Sequence, residues 1–199
     1  MSKHGSKLKV DIGRVRVETE HVSVFEGEHD KKKALVYQLK SKCLSDDEYL
    51  VLQYRYQKLM VQPVPDIISV FGVTKKEGFL TIVLEDFHGQ PLTNCTNQKP
   101  ISLEYFFGWA FPVLGAISRL HASRLFHGFL NPNRILYDMD TGEIRLTEFW
   151  LPPFITGVSA SEKCTDEYAI YVPPEQHEWS SQIVDHRADI YSLGILFYD

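Results

Sequence analysis

The sequence predicts an α+β fold in which a strand-rich first part is followed by a mostly helical second part. Short segments rich in branched and aromatic residues, which are typical of strands, occupy the region before residue 85. After Pro100 the apolar residues take the longer spacing of helices. The chain has 199 residues, 44% of them hydrophobic and 24% charged, which is enough to form a core. We expect a small strand-rich lobe over residues 1–85 and a helical lobe over residues 86–199.

The first part contains five predicted strands and one helix. Residues 14–17 alternate polar and apolar side chains, which is the period of a half-exposed strand. Further strands are predicted at 22–25, 34–39, 67–73 and 79–84. Ser45 is a suitable N-cap, and Glu48 three residues later completes a capping-box pattern. The helix that begins there is expected to end before Pro63.

The second part is predicted to contain two helices and a short hairpin. Apolar residues follow a helical spacing over 103–120, where Pro112 either kinks the helix or marks a later start. The predicted elements after it are two strands at 135–137 and 144–146, a long loop at 151–174 and an apolar helix at 189–198. Polar turn residues separate the two strands, which indicates a hairpin.

The most informative segment is residues 127–136, which read HGFLNPNRIL. It resembles the catalytic loop of protein kinases, HRDLxxxN. Other motifs follow the family's order at 24–27 (VFEG), 148–150 (EFW for DFG), 173–175 (PPE for APE) and 189–194 (DIYSLG, the start of the central helix). The resemblance implies a bilobal protein-kinase-like fold. It also implies one incomplete domain, with the large lobe truncated within its central helix.

A narrower resemblance is carried by residues 83–92 (VLEDFHGQPL) and 184–194 (VDHRADIYSLG). Both segments are similar to the N-terminal kinase-like domains of hybrid histidine kinases in fungi and cyanobacteria, among them the peroxide-sensing histidine kinases of fission yeast. In such proteins the kinase-like domain precedes sensor modules, a histidine kinase and a receiver. The resemblance implies that this chain is the front of a two-component stress-signalling protein.

Three positions that carry chemistry in the family are changed here. Phe129 stands at the place of the catalytic aspartate, and a phenyl ring cannot accept a proton from a substrate hydroxyl. Glu148 replaces the magnesium-binding aspartate, and its extra methylene works against octahedral geometry. Arg134 replaces the metal-binding asparagine. It either pairs with Glu148 as an internal substitute for magnesium or is a surface arginine.

The phosphate-binding hairpin of the family is also altered. Aligned on the VFEG motif, its three glycine positions fall on Val17, Thr19 and Val22, whose side chains obstruct a close approach of phosphate to the backbone. Glu18 and Glu20 add negative charge near the same place. A tight phosphate cradle is therefore not expected.

A lysine on the third strand pairs with phosphate in the family. Lys40 is the best candidate and Lys42 the next, and the alternative for Lys40 is a solvated lysine at a strand end. The glutamate partner of this lysine should lie on the first helix. Spacing places Arg55 there, which would repel the lysine, whereas a shift of one turn would bring in Glu48.

The hinge between the lobes is predicted at residues 85–89. Since adenine is bound there by main-chain groups in the family, Glu85 and Phe87 are candidate nucleotide-binding residues. The resemblance thus leaves ATP binding open, while the changes at Arg134 and Glu148 argue against a well-formed magnesium site.

The positions that organise the large lobe in the family are kept. His127, Glu175 and Asp189 match these architectural places, and the central-helix aspartate holds the catalytic-loop backbone in kinases. Gly128, by contrast, replaces the arginine that clamps a phosphorylated activation loop in many kinases. We therefore expect an intact scaffold that is not switched on by loop phosphorylation.

The composition limits which binding partners and which cellular compartment are expected for this chain. The net charge of −5, without a basic stripe, argues against nucleic-acid binding. The most apolar stretch, residues 106–117, is too short for a membrane span. Cys43, Cys95 and Cys164 lack disulfide or zinc spacing, so free thiols in the cytoplasm are expected.

The pattern favours a catalytically impaired kinase-like domain that regulates or scaffolds a signalling protein. Its partners would be downstream domains of the same polypeptide or other signalling proteins. Two alternatives stay open: an atypical active Ser/Thr kinase that uses ATP with a relocated base, and an ATP-sensing domain without phosphotransfer.

Overall fold

The protein is described by a computed structural model over residues 9–19, 21–40, 45–76, 79–96, 101–149, 169–176 and 184–198. The chain divides into two compact units, the first formed by residues 1–62 and 69–86 and the second by residues 63–68 and 87–199. Several residues of the sequence analysis lie outside the described ranges: Glu20, Lys42, Cys43, Trp150 and Cys164. Most of the loop at 151–174 also lies outside them.

The first unit is a five-stranded antiparallel sheet with one helix. In chain order its elements are β1 (Asp11–Glu18), β2 (Val22–His29), β3 (Lys32–Lys40), α1 (Asp46–Val61), β4 (Val70–Lys76) and β5 (Phe79–Glu85). The strand order is β1-β2-β3-β5-β4. Two residues at positive φ, Asp30 (49°) and Lys31 (64°), turn β2 into β3, which suits the right-handed twist of a two-residue hairpin. Ala34, Val36 and Val83 form a buried cluster in the sheet.

The strand predicted over 67–73 is wrong in its first half, because β4 begins only at Val70. The preceding residues bond within the second unit instead. Ile68 N donates to Leu146 O at 2.9 Å, and Leu146 N donates to Asp66 O at 2.8 Å. These backbone bonds explain why residues 63–68, which the sequence placed in the small lobe, belong to the second unit.

The second unit combines helices with a three-stranded sheet. Its elements are β6 (Gln90–Pro91), α2 (Leu92–Thr96), α3 (Leu103–Ala122), β7 (Ile135–Tyr137), β8 (Ile144–Leu146) and α4 (Arg187–Tyr198). The sheet order is β6-β7-β8. Short 3-10 helices cover Pro132–Arg134 and Pro174–Gln176. Within the described part of the chain, no helix has the length and apolar character to cross a membrane.

Helix α3 contributes one buried face to the core of the second unit. Val113, Ile117 and Leu120 are buried at helical spacing. Pro112 lies inside the helix, so the alternative of a later start at this proline is wrong. The helix begins at Leu103 because Ser102 caps it: the Ser102 side chain accepts a hydrogen bond from Tyr105 N at 3.1 Å.

Removing this cap is expected to destabilise the second unit. Ser102→Ala leaves the Tyr105 N–H without its capping acceptor and should lower the free energy of unfolding by about 1 kcal/mol. Ser118→Ala, at an exposed position inside the same helix, is the matched control and should change stability little. Urea denaturation measures both. Equal stabilities of the two variants would contradict the capping role.

Candidate functional site

The buried carboxylate of Asp189 holds the start of the 127–136 loop. Asp189 lies in the first turn of α4 with 0% exposure. Its Oδ2 accepts a hydrogen bond from His127 N, and its Oδ1 accepts one from Gly128 N, each at 2.8 Å. His121 Nε2 on α3 lies 2.8 Å from Oδ2. One carboxylate thus connects α3, α4 and the loop, and bonds to a charged acceptor are the stronger kind.

His127 links the loop to the end of β8. Its Nε2 donates to the Thr147 carbonyl at 2.9 Å, and Phe129 N lies 3.4 Å from Nδ1. The Phe149 ring packs 4.7 Å from the imidazole, centroid to centroid. Because a carbonyl can only accept, the neutral ring carries its proton on Nε2. Burial lowers the pKa of His127 to about 4, so this form persists at neutral pH.

Phe129 contributes a ring and a carbonyl at the position predicted for the base. Its carbonyl accepts hydrogen bonds from Asn131 Nδ2 and Arg134 Nη1, each at 3.2 Å. The Arg134 guanidinium carbon lies 5.7 Å from the centre of the Phe129 ring. The loop therefore closes on itself through Arg134, and Phe129 itself offers no group that exchanges protons.

Arg134 and Glu148 form a buried ion pair. Arg134 Nε lies 3.4 Å from Glu148 Oε2, and the two side chains are only 3% and 7% exposed. The predicted pair is confirmed, and the alternative of a surface arginine is wrong. The backbone supports the contact, since Thr147 N donates to Arg134 O at 3.0 Å. Glu148 has a φ of 56°, a conformation that non-glycine residues rarely adopt.

The described residues around Arg134 and Glu148 do not fit a magnesium ion. The family's asparagine position holds a guanidinium, and the Glu148 carboxylate faces that cation at 3.4 Å. Magnesium prefers oxygen ligands in a regular octahedron. Across the described ranges, no group of three or more His, Cys, Asp and Glu side chains is arranged to hold a metal.

Lys40 contacts the hairpin between β1 and β2. Its Nζ donates to the Thr19 carbonyl at 2.8 Å and lies 3.6 Å from Glu18 Oε1. Both of these partners lie on the hairpin. A partner for Lys40 on α1 stays a prediction, because the side chain of Glu48 lies outside the described part of the chain. Sequence reasoning missed the contact because its main acceptor is a backbone carbonyl, which leaves no residue pattern.

The two candidate hinge residues lie in different units and are each held locally. In the first unit, Glu85 Oε2 accepts a hydrogen bond from Ser69 Oγ at 2.7 Å. In the second unit, the Phe87 carbonyl accepts one from Gly89 N at 3.0 Å. The Arg145 guanidinium carbon lies 4.9 Å from the centre of the Phe87 ring. A nucleotide-binding role for either residue stays a prediction.

The Pro174–Gln176 turn contacts the loop through an amide that sequence reasoning did not single out. Gln176 Nε2 donates to the Gly128 carbonyl at 2.5 Å. Glu175 is partly buried, and its charge contributes to the raised pKa of Arg187. The larger cause of that raised pKa is the hydrogen bond between Arg187 and Asp185. No sequence motif indicates the Gln176 contact.

Breaking the buried pair from one side is expected to be costly. Arg134→Met removes the cation that faces the buried Glu148 carboxylate and should lower the free energy of unfolding by about 3–5 kcal/mol. The double variant Arg134→Met/Glu148→Leu removes both charges and should recover most of that loss. Urea denaturation of the single and double variants measures the coupling. Losses that simply add would contradict a buried pair.

The neutral His127 predicts a loss of stability in acid. Its pKa of about 4 in the folded protein lies below the ordinary value of 6.5, so the unfolded chain binds the proton more readily between these pH values. The free energy of unfolding should therefore fall as the pH drops from 6.5 to 4, by up to about 3 kcal/mol from this group. His127→Gln should show a shallower fall in urea denaturation. Equal slopes for both proteins would rule out this role.

Comparison with known proteins identifies the family. A sequence model of the protein kinase domain matches residues 24–199. The chain is 28% identical over 140 residues to mitogen-activated protein kinase kinase 5 of Leishmania mexicana, covering 66% of this chain and 24% of that protein. It is 27% identical over 135 residues to the Aurora kinase of Schizosaccharomyces pombe, covering 67% and 37%.

A third relative matches more of the chain. The serine/threonine-protein kinase pkn3 of Myxococcus xanthus is 24% identical over 178 residues, covering 83% of this chain and 32% of that protein. The chain thus spans between 24% and 37% of the length of these relatives. The match over 24–199, together with the strand-rich first unit and the helical second unit, shows that this chain belongs to the protein kinase domain family.

Proposed function

We propose that this chain is a catalytically impaired kinase-like domain that regulates or scaffolds a signalling protein. The observation that carries the proposal is the buried pair of Arg134 and Glu148 beside Phe129. In this pair a side-chain cation stands where the family places a ligand for a metal cation. The charge that a metal would supply is thus provided by the protein and is fixed in place.

Phosphoryl transfer relies on positioning and on neutralising charge around the transferred group. Three parts of that apparatus are either replaced or engaged by other groups of this chain. Phe129 cannot act as a base, Arg134 is engaged by Glu148, and Lys40 is engaged by the hairpin. None of these changes disturbs the hydrogen bonds of Asp189, so the fold is kept while the chemistry is replaced. This combination suits a domain that acts by binding and conformational coupling.

We also propose the context of a hybrid histidine kinase in cytoplasmic stress signalling. The support is the similarity of residues 83–92 and 184–194 to the kinase-like domains of that group. The partners would be downstream domains of the same polypeptide or other signalling proteins. An interaction with such domains would use the scaffold held by Asp189 and would not require a phosphate to be transferred.

An active Ser/Thr kinase is the second candidate, and the names of the relatives favour it. Lys40 and Glu148 are the groups of the usual apparatus that remain. A carboxylate from elsewhere would have to reach the substrate hydroxyl as the base. Glu148 would have to leave Arg134 before it could bind a metal. An ATP-sensing role would need neither change, because adenine is held by main-chain groups in the family.

The proposal predicts no phosphate transfer and no magnesium-dependent nucleotide binding. Calorimetry with ATP, with and without magnesium, and transfer of labelled phosphate to a mixed protein substrate measure the two properties. Lys40→Ala is the control variant. If the chain neither transfers phosphate nor binds ATP with magnesium, this variant should give the same calorimetric and phosphate-transfer signals as the unmodified sequence. Binding that needs magnesium and is lost in Lys40→Ala, together with phosphate transfer, would establish the enzyme instead. Binding that ignores magnesium would identify an ATP-responsive switch.

A further inference from the structure

Helix α3 carries a row of exposed apolar side chains on the side that faces away from its buried residues. This row, called the outer stripe below, consists of Leu103, Phe107, Phe111 and Leu114, all of which are exposed. The residues are spaced three or four apart and therefore share one side of the helix. Single exposed apolar residues are common, whereas a continuous row of them marks an interaction surface.

The two phenylalanines of the outer stripe form one preformed surface. Phe107 and Phe111 are 44% and 63% exposed. Their ring centroids lie 5.1 Å apart and the ring planes are inclined by only 13°, so the rings are stacked. Phe106, which is partly buried, meets the Phe107 ring edge-on at 5.2 Å. Because neighbouring rings already restrict these side chains, little rotamer freedom is lost when a partner covers them.

The two ends of the outer stripe carry opposite charges. Glu104 lies in the first turn of α3 and Arg119 in its last turn. A Cβ at Gly115 would lie 3.2 Å from each terminal nitrogen of Arg119, so the guanidinium lies over Gly115. Glu104 and Gly115 are two turns and one turn away from Phe111, which places both charges on the side of the stripe. Arg119 also pairs with Asp66, which holds the guanidinium in place.

We propose that the outer stripe binds the outer stripe of a second copy of this chain, with the two α3 helices antiparallel around a two-fold axis beside Phe111. The antiparallel direction brings the first turn of each helix to the last turn of the other. Glu104 of one copy then approaches the partner's Arg119, and the same contact forms again on the other side of the axis. The charge pattern of the stripe is thus complementary to itself, whereas parallel helices would bring like charges together.

The shape of the stripe also fits this arrangement. Gly108 is exposed, and a Cβ there would meet the Tyr137 hydroxyl oxygen only at 3.9 Å. In an antiparallel pair centred at Phe111, the partner's Leu114 lies opposite Gly108, where a side chain would otherwise stand in its way. Phe107 lies opposite the partner's Gly115 and the guanidinium that covers it, and guanidinium groups stack favourably on aromatic rings.

The contact is small, so the dimer should dissociate readily. One pair of helix faces buries less than the roughly 1,200 Å² that stable interfaces need. We expect a dissociation constant on the order of 10 µM. This inference goes beyond the proposed function and does not rest on it, because a dimer through α3 requires neither nucleotide binding nor phosphate transfer.

Sedimentation velocity of the whole chain, at concentrations below and above that dissociation constant, measures the equilibrium between monomer and dimer. Phe111→Gln removes the ring at the two-fold axis, and Glu104→Lys places a cation opposite the partner's Arg119. The matched controls are Met139→Gln and Asp140→Lys, which change an exposed apolar residue and an exposed carboxylate in the turn between β7 and β8. Circular dichroism of all four variants verifies that the fold is unchanged.

The unmodified sequence should form a dimer at the higher concentrations. Phe111→Gln should weaken dimerisation by roughly tenfold or more, because each dimer loses two buried rings. Glu104→Lys should weaken it by roughly three- to tenfold, because two attractive charge pairs become repulsive. Both control variants should dimerise like the unmodified sequence.

Three results would each overturn the inference. The first is a monomer at every concentration, which would assign the outer stripe to a different partner. The second is a dimer that either α3 variant leaves unchanged, and the third is an equal weakening in the control variants. The readout is the mass of the particle, so the outcome is independent of any test for nucleotide binding or phosphate transfer.

Discussion

The hydrogen bonds to the Asp189 carboxylate are the interaction on which the second unit's site depends. A carboxylate with 0% exposure is stable in a folded protein only when donors surround it. Asp189 receives donors from two successive backbone amides of the 127–136 loop and lies beside the His121 ring. Since these bonds fix where the loop begins, they also fix where Phe129 and Arg134 stand.

The site combines the hydrogen bonds of Asp189 with a buried ion pair between Arg134 and Glu148. Burying Arg134 with Glu148 costs desolvation free energy, which a single ion pair rarely returns in full. The hydrogen bond from Arg134 to the Phe129 carbonyl and the bond from Thr147 N to Arg134 O help to offset it. The guanidinium thereby connects the loop to the segment after β8.

Much of the fold could be predicted from local patterns, whereas the contacts of the site depended on tertiary structure. Strands β7 and β8 fall where the residues predict them, because branched residues flank a clear turn. The strand predicted at 67–73 failed at its start, since apolar residues there bond to Leu146 far along the chain. The Arg134–Glu148 pair was predictable because charges replaced family ligands at known positions. The hydrogen bond from Lys40 to the Thr19 carbonyl was not predictable, because its acceptor is a backbone carbonyl, which no side-chain pattern in the sequence indicates.

The central claim is that Arg134 fills the place of a metal ligand and keeps Glu148 from binding a divalent cation. Electron paramagnetic resonance of Mn²⁺ with a non-hydrolysable ATP analogue tests it most directly. The account predicts that the Mn²⁺–analogue complex gives the same spectrum in the presence of the protein as in buffer alone. A distinct protein-bound spectrum that is lost in Glu148→Gln would contradict it, since the carboxylate would then be a metal ligand despite its arginine partner.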